Sequence, residues 1–258
     1  MSALLLDLDE TLIHEHASTQ AAYAATVADA AALAGFSPAA VVDGVRAAAA
    51  RLWAAGPHAA YCRRIGISSW EGLWATFALG DDPDTVALRG FAPDFRRRAW
   101  REGLRAVGIA DEDLVADLAE RFVWERGRRQ IPFPETLGVL SALRGDGHRL
   151  VLLTNGDRDL QRRKLAGSGL LPLLDGVVIS GALGVGKPAP AIFAHALEVA
   201  GSAAADAVMV GDSAERDVAG AEAAGIRAVW LARGRDDPPP AAAWRVLPDL
   251  RGLPALLR

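Results

Sequence analysis

Asp7-Leu8-Asp9-Glu10-Thr11-Leu12 follows directly on the apolar run Ala3-Leu4-Leu5-Leu6. Such a run reads as a short buried strand, and the two carboxylates then stand where that strand ends. Asp7 and Asp9 are two residues apart, so on a regular strand their side chains share a face. Thr11 and the turn beyond bring a hydroxyl and backbone N–H groups nearby. Two clustered anions are costly without a counter-cation, and this arrangement asks for a metal. Taken alone, the hexapeptide also suits a strand end with two solvated, turn-forming Asp residues, so the rest of the chain has to decide.

Three further segments repeat the layout of an apolar strand running into a chemically equipped loop. Arg149-Leu150-Val151-Leu152-Leu153 ends in Thr154-Asn155-Gly156, a hydroxyl and an amide followed by a residue free to take positive φ, which could hold a phosphate. Gly176-Val177-Val178-Ile179-Ser180 is followed by Gly184-Val185-Gly186-Lys187-Pro188, a cation on a glycine-rich connector stopped by proline. Lysine is scarce: only Lys164 and Lys187 occur among 28 Lys plus Arg, so a lysine here runs against the chain's own usage. Ala207-Val208-Met209-Val210 ends in Gly211-Asp212-Ser213, with Asp217 five residues past Asp212, the layout of a metal-side carboxylate and an acidic supporter.

Each piece has a plainer reading. Thr154-Asn155-Gly156 suits an ordinary strand exit, Lys187 a solvated loop charge, and Asp212-Ser213 the cap of a helix beginning near Ala214. What favours a site is the coincidence of all four, in order, at the carboxyl ends of strands, where open parallel sheets bind ligands.

Together the four segments resemble the haloacid dehalogenase-like (HAD) hydrolase superfamily, in its phosphatase branch with a helical cap. The pattern is carried by Asp7-Leu8-Asp9-Glu10-Thr11, Leu153-Thr154-Asn155, Lys187-Pro188 and Gly211-Asp212-Ser213 through Asp217. Glu10 stands where many members have glycine. The resemblance implies an α/β fold, a doubly wound parallel Rossmann-like sheet formed by residues 1–15 and 130–258, with an all-helical cap domain inserted at 16–129. It also implies a Mg²⁺-dependent phosphatase acting on a small phosphorylated metabolite. Asp7 would be the nucleophile, Asp9 the acid and base, Thr154 and Asn155 the grip on the phosphoryl oxygens, and Lys187 the charge-offsetting cation. The metal would be held by Asp7, the Asp9 carbonyl and Asp212, with Asp217 orienting that set.

The residues themselves support the helical insertion. Ser18 or Thr19 could start a helix ending near Gly35, and Ser37-Pro38 one ending near Gly56. Ser68 or Ser69 could start a third reaching Gly80, and residues 93–107 and 111–126 supply two more. Gln130-Ile131-Pro132-Phe133-Pro134 reads as a stiff return to the core, after which strands alternate with helices to Ile226–Leu231 and a last short strand near 245–247.

Composition narrows the function. A chain of 258 residues with 51% hydrophobic content can bury a substantial core. Its net charge of -4 gives no support for binding a nucleic-acid polymer. The first strand begins near residue 3 with no basic-plus-apolar leader, and no uncharged run is long enough for a bilayer, so a cytoplasmic protein without membrane contact is expected. The single cysteine, Cys62, fits a reducing compartment and reads as a packing residue.

Asp9 separates competing chemistries. A departing halide needs no acid, and dehalogenases of the superfamily lack this Asp, so phosphate esters are favoured; a phosphomutase uses the same pair and stays an alternative, as does a non-catalytic phosphometabolite-binding protein. Substrate identity and oligomeric state are beyond the sequence. Residues 16–130 hold 14 Arg against 14 Asp plus Glu. Arg63 and Arg64, expected on a loop from His58 to Ser69, are candidate substrate contacts or a solvated pair. Five of seven Trp lie in the helical region, where Trp70, Trp74 and Phe77 at helical spacing suggest packing before a platform for a flat substrate.

Overall fold

In the computed structural model, which describes residues 2–257, the chain forms two compact units. The first comprises Met1–Glu15, Ile131–Gly156 and Ser168–Arg258. Its six strands are β1 (Ala3–Leu6), β2 (Arg149–Thr154), β3 (Gly176–Ile179), β4 (Ala207–Gly211), β5 (Arg227–Leu231) and β6 (Arg245–Leu247). They lie in the order β3-β2-β1-β4-β5-β6, every neighbouring pair parallel. The chain builds one half of the sheet outward from β1, then returns to the other side of β1 to start the second half, which leaves the switch point between β1 and β4.

This sheet is the doubly wound parallel fold that the alternation of strands and helices implied, and the reason lies in the strand sequences. Leu4, Leu5 and Leu6 are all buried, although successive side chains point to opposite faces, so both faces are covered. Each such Leu contributes about 1.5–3 kcal/mol by leaving water. One face is packed by Leu5, Val151, Leu153 and Met209 against Ile192, Phe193 and Ala196.

The second unit comprises His16–Gln130 and Asp157–Gly167. It contains α1 (Glu15–Ala34), α2 (Pro38–Ala54), α3 (Ala59–Ile65), α4 (Ser69–Gly72), α5 (Pro83–Arg105) and α6 (Glu112–Gly127), together with most of α8 (Arg158–Ser168). The remaining helices are α7 (Thr136–Gly145), α9 (Ser180–Leu183), α10 (Pro190–Ala200), α11 (Gly220–Ala223) and α12 (Leu253–Leu256), all in the first unit. Residues 157–167 group with the helices because Leu160 enters their apolar core, Asp159 accepts from Thr76 Oγ1, and buried Lys164 pairs with Glu71 at 3.0 Å. Asp157 caps α8 through the N–H groups of Asp159 and Leu160, and burial pushes its carboxyl up to about 6.

Local signals place the helix starts. Ser37 accepts from Ala40 N ahead of Pro38, Asp111 accepts from Asp113 N and Leu114 N, and Asp82 accepts from Thr85 N ahead of Pro83. The last pair starts α5 ten residues earlier than Pro93, which lies inside the helix. The helix expected from Ser68 or Ser69 to Gly80 stops at Gly72, and Phe77 (φ 52°) and Gly80 (φ 119°) then take left-handed conformations that a helix excludes. Trp74 and Phe77 are buried, while Trp70 is half exposed, so the spacing of these three is not a helical stripe. Residues 59–65, expected as loop, form α3, and Gly66 ends it at φ 78°.

The core of this unit packs Trp53, Trp74, Trp100, Phe95 and Phe122. Arg126, fully buried, lies 4.6 Å from the Trp74 ring centroid and donates to Thr19 Oγ1 and the Arg129 carbonyl. Among the described residues, no helix is long and apolar enough to cross a membrane.

Candidate active site

Four strand ends of the sheet converge on one cluster of side chains. Asp7 is the first residue past β1, and its N–H donates to the Val210 carbonyl at 3.0 Å, which ties the turn to β4. Glu10 sits at φ 55° and Asp9 pairs with Ile13 in a bridge, so the chain folds back tightly after Asp9. That return brings Thr11 Oγ1 to Asp7 Oδ2, to which it donates at 3.1 Å.

Lys187 fills the centre. Its Nζ donates to Asp7 Oδ1 at 2.6 Å and to Asp217 Oδ1 at 2.7 Å, and all three side chains are buried. The lysine reads as part of the site and not as a solvated loop charge. Burial alone would push its ammonium down, but Asp217 and Asp7 outweigh this and hold it above its ordinary value. Burial likewise pushes Asp7 up, against the pull of Lys187, and pushes Asp212 up with help from the neighbouring Asp7 charge.

The backbone carrying Lys187 is fixed by Asn155. Its amide nitrogen donates to the Lys187 carbonyl at 2.9 Å, and its oxygen accepts from the Lys187 N–H at 2.8 Å. Gly186 is required at this contact, because a Cβ there would lie 2.8 Å from Asn155 Oδ1. The Lys187-Pro188 peptide is cis. The Thr154 hydroxyl, buried at the end of β2, donates to the Asn155 carbonyl at 3.3 Å. Gly156 N donates to Ser180 Oγ at 2.9 Å, a link from the β2 exit to the β3 exit.

After β4 the chain passes through Asp212 into a π-helical turn, Ala214–Ala219, that carries Asp217. Ser213 caps this turn, accepting from Arg216 N, while its own N–H donates to Asp217 Oδ2 at 2.9 Å. Gly211 is close-packed beneath Asp217, where any Cβ would strike the carboxylate. One oxygen from each of Asp7, Asp212 and Asp217 lies within 4.8 Å of the others, a hard, anionic donor set suited to a divalent cation.

The structure thus brings Asp7, Thr154, Asn155, Lys187, Asp212 and Asp217 together in the sheet unit, with Asp9 on the adjoining turn. Arg63 and Arg64 lie in the helical unit on the last turn of α3, where Arg64 pairs with Asp84 at 3.3 Å and covers the Tyr61 ring. His14 stacks on Phe133 with ring centroids 4.7 Å apart, and His16 contacts Gln20.

Sequence reasoning passed over two arginines past β5. Arg233, its side chain largely covered, pairs with the similarly covered Glu135 carboxylate, donates to the Thr11 carbonyl and covers the Phe133 ring. Arg235 donates to Asp212 Oδ2 at 2.8 Å and to the Asp212 carbonyl at 2.6 Å; Trp230 Nε1 donates to the same carbonyl at 2.7 Å. The available signal was their position, since Leu231-Ala232-Arg233-Gly234-Arg235 leaves the same edge of the sheet as the four motifs.

Comparison with known proteins accords with this geometry. The profile of the haloacid dehalogenase-like hydrolase family matches residues 1–225. Phosphoserine phosphatase from Thermus thermophilus is 41% identical over 255 residues, covering 97% of this chain and 95% of that protein. The structure of a 2-haloacid dehalogenase from Pseudomonas syringae pv. Tomato is 29% identical, with a TM-score of 0.61 over 100% of this chain and 98% of that one. The HAD-hydrolase YfnB from Bacillus subtilis shares the fold at 20% identity, with a TM-score of 0.64 over 100% of this chain and 98% of that one. With the family profile spanning most of the chain and all four motifs gathered at the strand ends, this protein belongs to the haloacid dehalogenase-like hydrolase family.

Proposed function

We propose that the protein is a Mg²⁺-dependent phosphatase that hydrolyses a small phosphomonoester through an aspartyl-phosphate on Asp7, with phosphoserine the first substrate to test. The observation that carries this reading is the Asp7 carboxylate, held on one oxygen by Lys187 and on the other by Thr11 at the end of the central strand. A carboxylate so fixed is a competent nucleophile toward phosphorus.

An Asp7 oxygen attacks phosphorus and the bond to the alkyl oxygen breaks. Asp9 gives its proton to the departing alkoxide. The Asp9 carboxylate then takes a proton from water, whose oxygen attacks phosphorus, releasing phosphate and restoring Asp7. Lys187 offsets charge between the nucleophile and the incoming phosphoryl oxygens, and the Thr154 hydroxyl with the Asn155 N–H grips those oxygens. Asp7, Asp212 and Asp217 fit a Mg²⁺ ion, with the Asp9 carbonyl as a further ligand; when bound, it would neutralise the negative charge met by the phosphate.

Phosphoserine comes from the 41% identical Thermus thermophilus enzyme, whose match runs through the helical region as well as the core. Residues 16–129 would act as the cap that selects substrate. Arg64 is engaged by Asp84 and Tyr61, so Arg63 is the better candidate of the two for contacting a substrate anion. The buried Cys62, its thiol pushed up to about 12 by burial, accords with a packing role in a reducing cytoplasm.

Phosphate release from phosphoserine, nucleotides and sugar phosphates, with Mg²⁺ or EDTA, tests the reading beside Asp7→Asn. Turnover that needs Mg²⁺ and disappears in Asp7→Asn is expected. Halide release from 2-haloacids without phosphate release, or isomerised product without free phosphate, would reject it for a dehalogenase or a mutase.

A further inference from the structure

Arg235 makes contacts that an ordinary surface arginine does not. The chain leaves β5 through a tight turn in which Arg233 (φ 51°) and Gly234 (φ 76°) both adopt left-handed backbone, and Arg235 N donates to the Ala232 carbonyl at 3.0 Å. Two successive positive φ angles closed by this hydrogen bond are the mark of a type I′ turn. The turn is anchored to the last strand by Ala232 N on the Leu247 carbonyl and Arg233 N on the Pro248 carbonyl. It sends the Arg235 side chain back over the end of its own strand, where Nη2 donates to the Leu231 carbonyl at 3.1 Å.

From there the guanidinium spans both polar groups of Asp212. Nη1 takes one carboxylate oxygen and Nη2 takes the main-chain carbonyl, whose second lone pair is filled by Trp230 Nε1. The Asp212 backbone is thereby fixed by two donors and its carboxylate by one, which leaves the second carboxylate oxygen for another partner. The planar fork of arginine meets this two-point demand; the single point charge of lysine cannot. Arg235 remains about one-third exposed, with its Nε 4.0 Å from Asp237; two of its three main hydrogen bonds go to Asp212, and its other contacts are the Leu231 carbonyl and the Trp230 ring, 5.6 Å from its guanidinium carbon.

We propose that Arg235 is a positioning residue that holds Asp212 in the orientation a divalent cation requires. This rests on the reading of Asp7, Asp212 and Asp217 as the cation site. Groups that orient a metal ligand are worth roughly 10–100-fold in affinity when removed, although they never touch the ion.

The test is calorimetric titration of Mg²⁺ into the metal-stripped full-length protein, comparing wild type, Arg235→Gln, Arg235→Lys and Asp212→Ala, with melting temperatures recorded in EDTA. The expected result is a Mg²⁺ Kd raised roughly 10-fold or more in Arg235→Gln, an intermediate value in Arg235→Lys, and loss of binding in Asp212→Ala. Melting in EDTA should stay within about 4 °C of wild type, because a partly exposed pair contributes little to stability. A Kd within twofold of wild type in Arg235→Gln would overturn the positioning role and leave the cation site standing. Tighter binding would overturn it too, by showing that the guanidinium competes with the ion for Asp212. Absence of Mg²⁺ binding by the wild type would reject this inference together with the metal-dependent reading.

Discussion

Lys187→Met offers a quantitative test of the buried charge at the centre of the site. Two carboxylates lie 2.6 and 2.7 Å from the ammonium, all of them buried, and the substitution keeps most of the side-chain volume while deleting the charge. At an effective dielectric of about 20, each contact is worth at least ~4 kcal/mol gross, and leaving both anions uncompensated would be prohibitive. The protein has a cheaper response, which is to bind a proton on one carboxylate. Raising an Asp from its ordinary pKa to protonation at pH 7 costs about 1.4 kcal/mol per unit over about three units, or at most about 4 kcal/mol, since burial has already raised Asp7 part of the way. That sets the expected loss, in line with the 3–5 kcal/mol typical of a broken buried pair. The variant's native state binds a proton that its unfolded state releases, so its stability falls as pH rises from about 4. The deficit relative to wild type should therefore be at most about 4 kcal/mol at pH 7 and at most about 1.5 kcal/mol at pH 5. Thermal melts in EDTA should show a drop of up to about 8–16 °C at pH 7, shrinking toward acid. A drop that is the same at pH 5 and pH 8, or one below about 2 °C at pH 7, would refute this account of the charge balance.

Asp157→Asn keeps a capping oxygen for α8 but removes a charge whose carboxyl is pushed up to about 6, so it should stabilise by about 1–3 kcal/mol at pH 8. Wild type binds this proton more tightly when folded, so the advantage should fade as the pH drops from about 6 to about 4, which melting at pH 4.5 and pH 8 will show. Gly211→Ala forces a methyl against the Asp217 carboxylate and should cost about 1–3 kcal/mol in urea unfolding while weakening Mg²⁺ binding in the same preparation. Arg233→Met removes the ion pair to the largely covered Glu135 carboxylate and frees the Thr11 carbonyl, for an expected loss of about 1–3 kcal/mol in urea unfolding at pH 7. Arg233 holds the Glu135 carboxyl below its ordinary value against the cost of burial, so the part of this loss due to Glu135 should be present above about pH 5 and fall away as the pH drops through that lowered value, while the part due to the Thr11 carbonyl stays.

The fold was legible because the strands of a parallel sheet are buried on both faces and so read as unbroken apolar runs; Leu4-Leu5-Leu6 and Val208-Met209-Val210 carry that signal in four or fewer residues. The four motifs were legible for a related reason, since each begins where such a run stops. The helical unit was harder to read. Start signals compete there, and Asp82-Pro83 took precedence over Pro93, while the helix suggested by the spacing of Trp70, Trp74 and Phe77 ends at Gly72, before the left-handed Phe77 is reached. Arg233 and Arg235 were illegible as functional residues because one side chain reaches 222 positions back along the chain to Thr11 and the other 23 to Asp212. Arginine is common in this chain, and no local pattern marks two of them as structural. The role of the Asn155 side chain was hidden similarly, by a pairing with Lys187 across 32 residues.

The charge in the sheet unit's site gives a reason for a cation to bind before a phosphate. Asp7, Asp212 and Asp217 contribute three negative charges, against Lys187, the partly exposed Arg235 and the exposed Arg216, whose charge acts on both Asp7 and Asp212; Asp9 on the adjoining turn adds a fourth negative charge when ionised. That leaves the site balanced, or one negative charge in excess when Asp9 is ionised, so under the proposed reaction a dianionic phosphate ester would meet no surplus of positive charge. Burial has already pushed Asp7 and Asp212 toward holding protons, and a protonated Asp7 is no nucleophile. A divalent cation on the three carboxylates would relieve both difficulties, since it would keep Asp7 ionised and supply the positive charge that a dianionic phosphoryl group needs to meet. Arg235 cannot do this in its place, because it sits on the outer side of Asp212 with its fork committed to the carbonyl and one oxygen. On this argument phosphoester binding itself, and not only turnover, depends on Mg²⁺. An inert phosphate analogue titrated into the metal-stripped protein should bind only after Mg²⁺ is added; equal affinity with and without the ion would refute this dependence and show that the cationic side chains suffice.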